Sequence, residues 1–67
     1  MDDRITVALI PGARRALSAA CGREGLSETD VINRALTLYG FISEQIAGGG
    51  EVRVRLPDGT VYQADLL

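Results

Sequence analysis

The sequence predicts an α+β fold that two copies of the chain complete together. A short N-terminal strand precedes two helices and a C-terminal β-hairpin. The N-terminal strands of two chains are expected to pair as an intermolecular, two-stranded antiparallel ribbon, making an intertwined homodimer. Three observations predict this. The apolar pattern has period two over residues 4–10, helical spacing over 11–47, and period two again after Gly48-Gly49-Gly50. The chain has only 67 residues, and a domain this short buries too small a fraction of its surface to be comfortably stable alone. Its single cysteine, Cys21, excludes an internal disulfide, and with no histidine in the chain a zinc site is not expected. Self-association is the remaining aid.

The elements follow in order. In Arg4-Ile5-Thr6-Val7-Ala8-Leu9-Ile10, Ile5, Val7 and Leu9 fall on one side and Arg4, Thr6 and Ala8 on the other, in a β-branched composition that predicts a strand over 4–10. Pro11-Gly12 ends it, and Pro11 is acceptable in the first turn of a helix, where its missing N–H is not needed. A first helix is predicted over 11–24, with Ala13, Leu17, Ala20 and Cys21 as a narrow apolar stripe. Ile10 is a poor N-cap, so that end is expected to fray.

Gly25-Leu26-Ser27 is the clearest punctuation in the sequence. Gly25 can take the left-handed conformation that closes a helix. Ser27 is a good N-cap, Asp30 completes a variant of the capping box, and Leu26 with Val31 forms a hydrophobic staple. A second helix follows over 28–47. Ile32, Ala35, Tyr39, Ile42 and Ile46 form its stripe, while Val31, Leu36, Leu38 and Phe41 widen the apolar surface beyond one side. A helix this broadly apolar needs burial on several sides, which again implies a second chain. Gly48-Gly49-Gly50 stops it. Val52, Val54 and Leu56 then alternate with Arg53 and Arg55, and Pro57-Asp58-Gly59 is strong turn chemistry for a hairpin. The domain reading is a 1–47 strand-helix-helix part followed by a 48–67 joint and hairpin.

Net charge is −2, which counts against a nucleic-acid binder. All seven basic residues are nonetheless arginine, the side chain suited to bidentate phosphate and guanine contacts. Residues 1–39 hold five arginines against five acids, whereas 40–67 hold two against four. A near-neutral domain is expected to bind DNA weakly without sequence preference. The acidic start Met1-Asp2-Asp3 is unlike a signal peptide, and the uncharged run from Ala35 to Ser43 is too short to span a bilayer. With one unpaired thiol, this leads to a cytoplasmic expectation and no membrane partner. No nucleophile–base pair stands out, so the chain is not expected to be an enzyme, and no cofactor is expected.

The order R-I-T-V-A-L, short helix, then G-L-S-E-T-D-V-I-N-R-A-L resembles the ribbon-helix-helix family of Arc, Met and CopG-type repressors, over residues 4 to 46. Members of that family are dimeric DNA-binding proteins, often autorepressors or antitoxins. The resemblance implies a sequence-specific transcriptional regulator, probing the major groove of double-stranded DNA with its ribbon. By resemblance, Arg4, Thr6 and Ala8 match the base-reading positions, and the turn at Ser27, Glu28 and Thr29 matches the helix N-terminus that holds a DNA phosphate. Exposed N–H groups and the helix dipole favour an anion there. Arg15 and Arg34 are further phosphate-contact candidates.

Each reading has a plainer counterpart. Arg4 and Thr6 also read as solvent-facing strand residues, the helix arginines as solvated charges, and Ser27 as a cap alone. Asn33 reads equally as solvated or as a polar dimer contact. The alternative function is an antitoxin-like or other interaction module that binds a protein partner through the C-terminal hairpin. In a rival arrangement the first strand joins that hairpin as a three-stranded sheet within one chain.

Overall fold

The computed structural model describes residues 4–64. Helix α1 spans Pro11–Glu24 and helix α2 spans Glu28–Ala47, the same limits that the local signals predict. Ile10 is the N-cap of α1, with extended backbone angles and no side-chain capping bond, and Pro11 follows in the first turn. The Arg14 N–H donates to the Ile10 carbonyl at 3.0 Å, so the first turn closes through the backbone alone. At the other end Gly25 is left-handed, with φ 66° and ψ 32°. Its N–H donates to the Cys21 carbonyl at 2.9 Å, satisfying one of the orphan acceptors at the helix end. The Asp30 N–H then donates to the Ser27 hydroxyl oxygen at 3.2 Å, one half of the capping box.

After α2, strands β1 (Val52–Arg55) and β2 (Val61–Ala64) form an antiparallel pair. The register sets Val52 against Ala64, Arg53 against Gln63, Val54 against Tyr62 and Arg55 against Val61. Directly opposed residues share a face. One face therefore carries Val52, Val54, Tyr62 and Ala64, and the other Arg53, Arg55, Val61 and Gln63. The turn is locked by the Leu56 N–H on the Thr60 carbonyl (2.7 Å), the Gly59 N–H on the Leu56 carbonyl (2.9 Å) and the Thr60 N–H on Asp58 Oδ1 (2.9 Å).

The N-terminal strand and its ribbon are not found. Residues 4–10 hold no regular secondary structure, and the element order is helix, helix, strand, strand. The fold is α+β, but it is not the strand-first ribbon-helix-helix arrangement, and without an N-terminal strand there is no intertwined ribbon for two chains to share. The physical reason is pairing. A strand is stabilised by a neighbour that takes its N–H and C=O groups, and alternation in a sequence reports a face rather than a partner. The sheet is two-stranded among the described residues, so the segment does not join the hairpin either.

The chain divides into two units, Met1–Arg34 and Ala35–Leu67. In the first, Leu17 is the one buried apolar side chain among the described residues. Ala20, Cys21, Leu26, Val31 and Ile32 are half-buried. In the second, Ile42, Ile46, Val52, Leu56 and Ala64 reach only partial burial. Leu36, Leu38, Tyr39 and Phe41 of α2 are exposed. The broad apolar surface anticipated for the second helix is thus present and open.

Candidate nucleic-acid interface

Within the first unit, the segment before α1 carries Arg4, Thr6 and Ala8, all exposed. Its apolar residues are exposed as well, with Ile5 at 80% and Val7 at 62%. An open cleft of about 590 Å³ lies between this segment and the helices, lined by Thr6, Val7, Leu9, Leu17 and Ile32 among others. Thr6 therefore lies along the same cleft as Val7 and Leu9. The strict two-sided division expected of a strand is not realised.

Arg14 and Glu28, one from each helix, also line the cleft. They form an ion pair at 3.3 Å, with side chains 59% and 56% exposed. Pairs this exposed contribute little stability, at most about 1 kcal/mol, so the contact orients two side chains more than it holds the helices. Sequence reasoning missed this pair. In the sequence Glu28 reads as part of a phosphate-holding turn, and its partner is 14 residues away along the chain, with no local spacing to announce it.

The proposed phosphate-holding turn is Ser27, Glu28 and Thr29. Ser27 Oγ accepts from the Asp30 N–H, which occupies one of the first-turn donors that an anion would use. Glu28 is turned toward Arg14, and the Thr29 carbonyl accepts from Asn33 Nδ2 at 2.8 Å. That bond gives Asn33 a place along α2. Glu28 and Asp30 both stand in the first turn, where their charges offset the attraction of the helix dipole for phosphate. Arg15 on α1 and Arg34 on α2 are exposed. The structure thus brings Glu28 together with Arg14, and places Arg15 and Arg34 on the helix surfaces.

In the second unit, the Arg53 guanidinium pairs with the Glu51 carboxylate. Hydrogen bonding from the Thr60 backbone, and then from its side chain, holds the Asp58 carboxyl below its ordinary value. Among the described residues no cluster of three or more His, Cys, Asp or Glu side chains is placed to hold a metal ion. No helix of the described residues is long and apolar enough to cross a membrane. No protein-family profile, curated protein or solved structure matches the chain.

Proposed function

We propose that this chain is a DNA-binding transcriptional regulator that acts as a homodimer. The observation that carries the DNA reading is the placement of its cations. All seven are arginine, and all seven are exposed. Exposed guanidinium groups, each with five fixed donors, suit phosphate oxygens and guanine edges alike. With no ribbon to hold it in a groove, Arg4 is assigned to phosphate together with Arg15 and Arg34.

The homodimer rests on the apolar side chains that each unit leaves exposed, which in a chain this short call for a dimer interface to cover them. The exposed Ile5, Val7 and Ile10 of the first unit and Leu36 and Phe41 of the second supply apolar area for such an interface.

Two measurements test this reading. Light scattering after size exclusion is expected to give twice the chain mass, and a monomer overturns the homodimer. Titration of a random-sequence duplex at low salt is expected to show retardation that weakens as salt rises. No retardation at micromolar protein, together with no duplex enriched from a random-sequence pool, overturns DNA binding and transfers the function to a protein partner.

A further inference from the structure

We propose that the C-terminal hairpin, rather than the N-terminal segment, is the element that reads base pairs in the DNA major groove. This rests on the DNA-binding reading above and names the surface that would give it sequence preference. The hairpin is the one two-stranded ribbon among the described residues. A two-stranded ribbon is one of the shapes that the major groove, about 12 Å wide, admits.

The register sorts the hairpin's side chains by chemistry. Arg53, Arg55, Val61 and Gln63 share one face, because Arg53 opposes Gln63 and Arg55 opposes Val61. All four are exposed. The opposite face carries the half-buried Val52 and Ala64. That face also carries the exposed Val54 and Tyr62, so exposure does not choose between the two; the chemistry does, because the groups that read base edges are on the Arg53, Arg55 and Gln63 face. Arginine donates in bidentate fashion to guanine O6 and N7, glutamine pairs with adenine N6 and N7, and an aliphatic side chain such as Val61 meets a thymine methyl. Arg53 and Arg55 are two residues apart on one strand, about 6.7 Å. That is about two base steps of 3.4 Å along a DNA strand, so the two side chains leave the strand at a spacing that matches guanines with one base pair between them.

Glu51 tempers the face. It pairs with Arg53, so Glu51, Arg53 and Arg55 together carry a single net positive charge. Affinity for arbitrary DNA is low, and recognition depends on base edges.

The test is selection from a pool of random-sequence double-stranded DNA, using the full chain and the Arg53→Lys/Arg55→Lys variant. Lysine preserves charge and strand geometry but not the bidentate fork. The wild type is expected to enrich a motif with two guanines separated by one base pair. The double variant is expected to retain its affinity for random duplex within about twofold and to lose tenfold or more of the preference for the motif, in line with roughly 1–3 kcal/mol per bidentate contact. An unchanged far-ultraviolet circular dichroism spectrum ties the loss to the side chains. A motif that survives in the double variant, or that disappears instead in Arg4→Lys, overturns the hairpin as reader and leaves DNA binding standing. A wild type that binds no duplex overturns the DNA-binding reading itself.

Discussion

Residues 4–10 and residues 52–64 present the same signal to a sequence reader, β-branched residues alternating with polar ones, yet only the second region becomes a sheet. The difference is a partner. Pro57-Asp58-Gly59 folds the second region onto itself and fixes four opposed pairs. The first region ends at Pro11 and runs into a helix, and among the described residues it pairs with no strand. Period two establishes which side chains share a side of the chain. Whether the backbone is paired depends on where the complementary edge lies.

The sharpest way to break this comparison is a charge in the first region. Val7 is largely exposed in one chain, so Val7→Asp costs little if the monomer is the working form. In the proposed homodimer the side chain is covered. Burying a valine contributes about 1.5–3 kcal/mol, and twofold symmetry counts the site twice. The variant is then expected to weaken dimerisation by at least about a hundredfold, measured as a concentration-dependent shift to monomer on size exclusion. An unchanged dissociation constant places the interface elsewhere, on the exposed surface of α2.

In the second region the equivalent stress falls on the turn. Gly59 has φ 94°, a conformation that costs a residue with a side chain about 1–3 kcal/mol. Gly59→Val is therefore expected to loosen the hairpin while α1 and α2 keep their helical signal. Amide exchange at Leu56 and Thr60 reads the difference, since both lie in the hydrogen-bonded turn. Helices that melt with the hairpin would show that the two-stranded pair is not an independent local unit.

What was legible in the sequence follows the same division. Helix limits were legible because their causes are local. Gly25, Ser27 and Asp30 lie within six residues, and the Gly25 N–H satisfies the Cys21 carbonyl while the Ser27 hydroxyl oxygen satisfies the Asp30 N–H. The hairpin was legible because its turn chemistry lies between its strands. The sequence reading placed a strand and a ribbon over 4–10, where the structure has none, because those depend on an edge that the alternation does not identify. In the candidate site, the exposure of Arg4, Thr6 and Ala8 is as the sequence predicts, but the separation from the apolar side that the alternation predicts is not realised. Thr6 lines the same cleft as Val7 and Leu9. The Arg14–Glu28 pair was invisible because it depends on how two helices approach. The shared face of Arg53, Arg55 and Gln63 could have been derived by counting residues outward from Pro57-Asp58-Gly59.

Ser27 marks the boundary where local signals prevail, and its replacement measures how much they contribute. Ser27→Ala removes the acceptor of the Asp30 N–H and is expected to cost about 1 kcal/mol, read as a lower melting temperature with no change in oligomeric state. Ser27→Asp keeps an acceptor and is expected to recover most of the loss. If Asp fails to recover it, the hydroxyl serves something other than the cap.

The smallest effect is also the most specific to the hairpin. The Asp58 carboxylate accepts from the Thr60 N–H at 2.9 Å, and the Thr60 hydrogen bonds hold its pKa below the ordinary 3.8. A carboxyl with a lowered folded value stabilises the folded turn at pH above the unfolded value, and that contribution disappears as pH falls through the folded one. The hairpin is therefore expected to hold at neutral and mildly acidic pH and to loosen only below 3.8. The Thr60 amide shift should titrate with a midpoint in that lower range. Asp58→Asn retains a carbonyl acceptor and should flatten the titration without opening the turn, whereas Asp58→Ala should open it at every pH. A wild-type midpoint at or above 3.8 would mean that the charged carboxylate gains nothing from the Thr60 donors. The turn would then depend on its Leu56–Thr60 backbone bond and the left-handed Gly59, and residues 52–64 would pair through backbone geometry alone.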